Sequence, residues 1–345
     1  MRLLILGGTW FLGRTLAEQA LASGWQVTTF SRGRSGRDAE GTKRVHGDRA
    51  HVADVAALAA SGSWDAVVDT SGHVPGVVST AARMLRPAVG RYVYISTVNA
   101  YRGWPVEPLT DDSPTYNAVT GTGPVTAGAE RGLAPAAEYG QLKAACEQAA
   151  SREFPAGTCL VLRPGVVVGP YEYVGRLPWL LRRMQAGGPV LAAGDPLRPI
   201  QPVDVRDLAA FILRAISSQL GGTANVTAPA GHSTYGELLE ACRDVTGGQA
   251  ELVWVDDQWL AGQDVEQWTE IPLWRTAPGT WAISSARAFG AGLTCRPLRE
   301  TVADTCDWMG REDPVPHERA AEIGLDGGKE RELLAAWERH RIQAM

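Results

Sequence analysis

Short apolar runs alternate with amphipathic stretches through the first half of the chain. Leu3–Leu6 is followed by a helical pattern from Arg14 to Ala22; Gln26–Phe30 is followed by the brief run Arg44–His46 and a helix near Val52–Ala60. Ala66–Asp69 precedes a helix near Val77–Leu85, and the runs Tyr92–Ile95 and Cys159–Leu162 flank a long helix over Ala136–Arg152. Nearly continuous apolar runs are strands covered on both faces, and strands separated by helices pair in parallel through right-handed crossovers. The pattern therefore predicts an α/β fold, a doubly wound parallel sheet.

The alternation breaks twice. Between Tyr101 and Pro135 the chain turns to Pro, Gly, Thr and Asp without a period, which reads as a long loop crossing a functional edge. After Val168 the pattern changes again, with Gly187-Gly188-Pro189 as punctuation and a helix running from Asp204 to Ser217. Asp204 at the N-cap with Asp207 three residues on reads as a capping arrangement, so both are assigned to structure. The expected organisation is a dinucleotide-binding domain over 1–168 and about 200–228, with a smaller substrate domain over 169–199 and 229–345.

Seven of the 12 tryptophans lie from Trp254 onward, most of them expected to pack a small C-terminal domain rather than to line a pocket. Lys329–Gln343 is an amphipathic helix carrying Leu333, Leu334 and Trp337, expected to dock.

Charge and composition narrow the function. At 345 residues the chain is long enough for a large core, and 45% apolar with 21% charged residues excludes disordered and fibrous classes. The net charge of −5 argues against a nucleic-acid partner, which clustered Lys and Arg would mark. Cys146, Cys159, Cys242, Cys295 and Cys306 are scattered, with no paired spacing for zinc, so no metal site is expected. The first strand begins at Arg2, no apolar run approaches a membrane span, and the thiols are read as reduced, which together predict a cytoplasmic protein without a membrane partner.

The first strand runs into Gly7-Gly8-Thr9-Trp10-Phe11-Leu12-Gly13 and then a helix. Glycines there allow a tight turn, let backbone N–H groups approach a pyrophosphate and aim a helix N-terminus at its charge, the device of Rossmann dinucleotide sites. Trp10 stands where a middle glycine is expected. The second strand ends at Phe30-Ser31-Arg32-Gly33-Arg34, without the carboxylate that would hold the ribose hydroxyls of NAD. Arg32, with Arg34 or Arg37, instead suits a 2′-phosphate, which favours NADP(H) with NAD(H) as the alternative. Asp48, after the third strand, is a candidate for the adenine amino group or simply a turn former.

Tyr139-Gly140-Gln141-Leu142-Lys143 places a phenol and an ammonium on adjacent turns of one helix face. A nearby cation together with the charge of a bound nicotinium favours phenolate and draws a phenol toward operating pH, which makes it an acid/base group. With eight tyrosines and three lysines, this spacing arises by chance only about 7% of the time. Ser96-Thr97 follows the strand Tyr92–Ile95 at the carboxyl edge of the sheet, where open α/β folds bind ligands.

Together, the glycine turn, Ser96-Thr97-x-x-x-Tyr101, Tyr139-x-x-x-Lys143, Arg163-Pro164-Gly165 and Gly169-Pro170 resemble the extended short-chain dehydrogenase/reductases, also called the NAD-dependent epimerase/dehydratase family, over roughly residues 1–230. The resemblance implies Thr97 as the catalytic hydroxyl with Ser96 beside it, Tyr139 as acid/base, Lys143 as its partner and Pro164 at the cofactor. It also implies a pocket shaped by Tyr171–Trp179 and Arg198–Asp204, giving Arg176, Trp179 and Arg198 as substrate candidates, with Arg176 or Arg198 suited to an anion. Asp69-Thr70-Ser71-Gly72-His73 departs from the family's usual run, and His73 is a candidate for the nicotinamide pocket.

The expected activity is NADP(H)-linked interconversion of a carbonyl and an alcohol on a small polar metabolite. The alternatives are a sugar or nucleotide-sugar epimerase or dehydratase with internally recycled cofactor, and a non-catalytic NADP-binding regulator. A homodimer is expected through the helices near Val77–Leu85 and Ala136–Arg152, where Ala137, Ala144, Ala145 and Ala149 would permit close approach.

Overall fold

The computed structural model describes residues 1–34, 38–117, 136–312 and 317–343. The first lobe contains β1 (Arg2–Leu6), α1 (Phe11–Ala22), β2 (Gln26–Ser31), β3 (Lys43–His46), α2 (Val52–Ala60) and β4 (Ala66–Asp69). It continues with α3 (Pro75–Leu85), β5 (Tyr92–Ile95), α4 (Ala136–Glu153) and β6 (Cys159–Pro164). Then come β7 (Val167–Val168), α5 (Arg176–Gln185), β8 (Gly188–Ala193), β9 (Pro199–Ile200), β10 (Val203–Asp204) and α6 (Val205–Ser217). The rest is β11 (Gly222–Val226), β12 (Ser233–Thr234), α7 (Tyr235–Val245), β13 (Ala250–Val255), α8 (Asp257–Ala261), α9 (Ala286–Gly290), α10 (Leu298–Arg311) and α11 (Gly327–Gln343).

Seven strands form one parallel sheet in the order β11-β6-β5-β4-β1-β2-β3, the doubly wound fold the apolar runs predict. Leu3 and Ile5 face one buried cluster with α1 and α6, whereas Leu4 and Leu6 face another with α2 and α3; two-sided burial is why these runs lack strict alternation. The strand order reverses beside β1 and β4, so their carboxyl ends open a crevice.

A second apolar cluster system gathers α5, α7, the parallel pair β8–β13, Trp274 and Leu333 of α11. Trp337 of α11 donates its indole N–H to the Trp254 carbonyl at 3.1 Å, so this helix docks as its pattern indicates. Ala288 and Leu293 are buried with the sheet's own cluster, so the chain around α9 returns to the first lobe, although the sequence places all of 229–345 in the second. The five cysteines are free thiols, three of them buried. Among the described residues no helix is long and apolar enough to cross a membrane.

Two local expectations change. Asp204 does cap α6 through the Arg206 N–H at 2.7 Å, but Asp207 turns away from the cap and accepts from the Arg296 N–H and Nε at 2.8 and 2.9 Å. Ala144 and Ala145 are buried within the chain, so they are not the surface on which a second copy would approach. Most of the loop expected between Tyr101 and Pro135, the side chain of Ala137, and Arg37 lie outside the described residues.

Candidate active site

A cleft of about 1120 Å³ runs along the carboxyl edge of the sheet, between the two lobes. At one end the glycine turn is built around absent Cβ atoms. Gly7 has φ +96°, and a Cβ there would stand 2.8 Å from Thr70 Oγ1; one on Gly13 would stand 2.2 Å from the Gly7 carbonyl. This close packing of turn and helix start is what a dinucleotide cradle requires, so the residues from Gly7 to Gly13, Thr9 and Leu12 included, fit a pyrophosphate.

Trp10 does not disturb it, because its φ of −127° needs no glycine. Its ring leaves the turn and packs on Tyr173 and His317 at 5.4 and 5.2 Å between centroids. The strained residue is its neighbour Phe11, at φ +36°.

Arg32 and Arg34 are exposed on the cleft wall after β2, where the ribose of a bound dinucleotide is expected. Asp48 lines the same end and also caps a turn, its Oδ1 accepting the Ala50 N–H at 2.9 Å. Beneath it Arg49 makes a two-pronged ion pair with Asp69 at 2.5 and 2.7 Å and donates to Ser71 Oγ at 3.0 Å. Burial pushes the Asp69 carboxyl upward, and Arg49, followed by the Tyr92 hydroxyl, more than reverses this and holds it below its ordinary range. The Arg49–Asp69 pairing went unread in the sequence because Arg49 lies in the loop after β3 and Asp69 ends β4, and the two meet only in the fold.

Thr97, Tyr139 and Lys143 all line the middle of the cleft with Pro164. Thr97 lies two residues beyond β5, its Oγ1 accepting the Asn99 N–H at 3.2 Å. Lys143 is buried and donates to the carbonyls of Ile95 at 2.6 Å and Gly72 at 3.1 Å; an ammonium has three N–H groups, so one remains for the cleft. Burial draws Lys143 down to about 8, against the pull of Cys146, Asp69 and Glu147.

In the free protein Lys143 is not a leading influence on the Tyr139 phenol. Burial drives Tyr139 up to about 12, and the leading cations that oppose it are Arg319 and Arg176 of the second lobe. An additional positive charge is needed before this phenol ionises near pH 7.

Ser96 belongs to the support of the site. Its hydroxyl is buried and donates to Glu147, which also accepts from Arg163 at 2.6 and 2.9 Å. Arg163 donates onward to the Tyr101 hydroxyl at 2.9 Å, which donates to Asn225 at 2.8 Å. This network ties β5, α4, β6 and β11 together directly below Thr97. Burial alone would lower the Arg163 guanidinium, and Glu147 more than compensates, raising it. Glu147 carried a readable signal, since Tyr139, Lys143 and Glu147 recur every four residues along one helix face.

On the substrate side, His73 faces the reaction centre, its ring 6.5 Å from that of Tyr139. Burial, with Lys143 and Arg49 nearby, pushes its imidazole down to about 3, so it is neutral at working pH. Arg176, the first residue of α5, also lines the cleft.

Two candidates do not reach the cleft. Trp179 packs on the second lobe's core, where Gly324 makes room for its indole. Arg198 pairs with Asp257, which also accepts the Trp274 indole N–H at 2.7 Å. The wall is supplied instead by Trp104, from the start of the loop read as crossing a functional edge, by Trp268 and Trp281, and by Arg275 and Thr280, to which the sequence assigned no role.

The family profile described as the NAD dependent epimerase/dehydratase family matches residues 3–227. The chain is 28% identical to the dTDP-6-deoxy-L-talose 4-dehydrogenase (NAD(P)(+)) of Kitasatospora kifunensis over 297 residues, covering 78% of this chain and 86% of that one. It is 23% identical to the chloroplast stem-loop binding protein of 41 kDa b of Arabidopsis thaliana, covering 71% of this chain but only 63% of that protein. Among solved structures, the Bordetella bronchiseptica enzyme WbmH in complex with NAD+ superposes with TM-score 0.68 at 21% identity, over 91% of this chain and 99% of that one. The UDP-glucose 4-epimerase of Thermotoga maritima gives TM-score 0.63 at 17% identity, over 90% and 99%. With a parallel sheet, a glycine cradle and a Tyr139/Lys143 pair already placed in one cleft, the chain belongs to the NAD-dependent epimerase/dehydratase family, the extended short-chain dehydrogenase/reductase enzymes.

Proposed function

We propose that the protein interconverts a carbonyl and an alcohol on a small polar metabolite, with NADP(H) exchanged as a co-substrate. The observation that carries this reading is the convergence of Thr97, Tyr139 and Lys143 on the cleft that also holds the glycine turn. Gly7 to Gly13 would hold the pyrophosphate and Arg32 a 2′-phosphate, and the bound nicotinamide supplies or accepts the hydride. Tyr139 is protonated in the free protein, as a donor to a carbonyl oxygen must be. Thr97 holds that oxygen as alcohol or carbonyl, and Lys143, fixed by two carbonyls, directs its remaining N–H into the cleft.

Arg32 and the absence of a carboxylate at the end of β2 favour NADP(H) over NAD(H). The likeness to a sugar dehydrogenase that uses NAD(P) favours net oxidoreduction over epimerisation. The test uses NADPH deuterated at the transferable position with a panel of carbonyl metabolites. Deuterium in the product with matching loss of NADPH absorbance is expected; turnover with unconsumed cofactor would replace this reading with an epimerase or dehydratase.

A further inference from the structure

The far wall of the cleft consists of groups that the chemistry at Tyr139 does not use. Trp104, from the loop after β5, meets Trp268, Arg275, Thr280 and Trp281, from the segment between α8 and α9, and Arg176 at the start of α5. The Arg275 guanidinium lies 4.9 Å from the ring centroids of both Trp104 and Trp268. Arg176 lies 5.4 Å from the same Trp268 ring, and Trp281 continues the row 5.8 Å beyond it. Two guanidiniums on one indole converge on a single place.

That place is rich in donors and poor in acceptors. Arg275 Nη1, Arg176 Nε, Trp104 Nε1, Trp281 Nε1 and Thr280 Oγ1 are all buried atoms without a hydrogen-bond partner. Thr280 and Trp281 are only 2% and 8% exposed. Each buried donor left alone costs about 1–3 kcal/mol, and native structures pair nearly all of them, so five together need an external acceptor. Among the described residues no carboxylate stands in an ion pair with either arginine. Glu172, buried four residues before Arg176, is the leading charge that offsets the burial of this guanidinium, yet its oxygens accept the Arg176 and Leu177 N–H groups at 2.9 and 3.3 Å, and Glu266, Glu318 and Glu322 are exposed on the rim. Burial with no facing acid lowers the Arg275 guanidinium below its ordinary value.

The wall is also fixed in place. Leu109 N–H donates to the Ala282 carbonyl and Ser284 N–H to the Leu109 carbonyl, each at 2.8 Å, joining the Trp104 loop to the Thr280–Trp281 segment. Gly279 permits this approach, since a Cβ there would stand 2.2 Å from the Glu107 carbonyl.

We propose that this box is a subsite for one oxyanion of the substrate, a carboxylate or a phosphate, held by Arg176 and Arg275 with Thr280, Trp104 and Trp281 as further donors. The substrate is then a compact acid, its reacting carbon at Tyr139 and its anion between the tryptophans. The substrate assignment rests on the hydride reading above; binding of the anion does not. Arg198, closed by Asp257, adds no second anion site to this wall.

The experiment titrates the full chain, saturated with NADP+ to occupy the cradle and the Arg32 site, with inorganic phosphate and with malonate, following tryptophan fluorescence. One of the two probes is expected to bind saturably, with at least tenfold weaker binding in Arg275→Gln and Thr280→Val and no change in Arg339→Gln, an exposed arginine of α11 away from the cleft. A phosphate response identifies a phosphate ester as the source and a malonate response a carboxylic acid. Binding of neither probe overturns the proposal, as does equal binding by variants whose thermal midpoint matches the parent. If no carbonyl accepts deuterium while the Arg275-dependent binding persists, the hydride reading alone falls.

Discussion

The two walls of the cleft treat their charges in opposite ways. Below β5 and α4 the charged groups are matched: Arg49 with Asp69, Arg163 with Glu147, Lys143 with two carbonyls. Across the cleft, Arg176 and Arg275 lie on indoles with buried donors that have no partner. A satisfied network fixes geometry, because moving any member leaves a buried charge alone. An unsatisfied one is completed by what binds. Trp10 Nε1 and His73 Nδ1, both buried without partners, mark where the two regimes meet around the reaction centre.

Removing the Tyr139 hydroxyl should have the largest effect, since it deletes the proton donor and leaves both walls intact. Tyr139→Phe is expected to lower turnover by about 10²–10⁴ with NADPH affinity and unfolding midpoint unchanged. Steady-state rates with parallel NADPH titrations read both quantities, and near-normal turnover would remove Tyr139 from the chemistry. Breaking the matched wall should instead cost stability. Glu147→Ala leaves Arg163 buried and unpaired, for an expected loss of about 3–5 kcal/mol in urea unfolding. A loss under 1 kcal/mol would show that the network below Thr97 is not what holds β5 and α4 together.

How much of this was legible follows the same division. The glycine turn, Thr97 and the Tyr139/Lys143 pair are short spacings on single elements, so backbone periodicity alone brings them to one edge. The opposite wall is assembled from Trp104, Arg176 and the 268–281 segment, separated by scores of residues and joined by loops without a period. Most tryptophans from Trp254 onward were read as packing, which Trp274 and Trp337 do; Trp268 and Trp281 pack on the same cluster and line the cleft as well. Arg198 and Trp179 were misassigned because their real neighbours, Asp257 and Gly324, are distant in sequence. Asp69 was read only as the start of the run that departs from the family pattern, and its partner Arg49 gives it a role.

Arg32 tests whether an exposed arginine can define the cofactor. Arg32→Ala is expected to weaken NADPH ten- to a hundredfold, the loss of a charge-assisted bond of about 1.5–3 kcal/mol, with little change for NADH. Equal losses for both cofactors would remove the 2′-phosphate role.

Lys143 links the matched wall to pH. Below about 8 it is charged and Tyr139, raised to about 12, is protonated, so kcat/KM for reduction should be level there. Above 8 the ammonium loses its proton and kcat/KM should fall about tenfold per pH unit. Stability moves the other way. With its folded pKa depressed, the unfolded chain binds more protons between about 8 and the ordinary lysine value, so this group's contribution rises with pH in that window. Unfolding curves taken at the same pH values separate the two, and a level kcat/KM to pH 10 would exclude Lys143 as the titrating group.

The smallest expected effect comes from the second lobe, away from both walls. Thr234 caps α7 reciprocally: its Oγ1 accepts the Glu237 N–H at 3.2 Å, and Glu237 Oε2 accepts the Thr234 N–H at 2.8 Å. α7 carries Leu238, Leu239 and Cys242 into the same cluster as Leu177 and Leu181 of α5, the helix that begins with Arg176. Thr234→Ala removes one acceptor for an exposed helix N-terminus and leaves the packed face untouched, so it should cost about 1 kcal/mol in urea unfolding. If α5 is held by its packing, Arg275-dependent anion binding and NADPH affinity should both be unchanged. A variant that lost anion affinity at this small cost in stability would show that Arg176 depends on the second lobe's helix caps, and that the unmatched wall is far less rigid than the matched one.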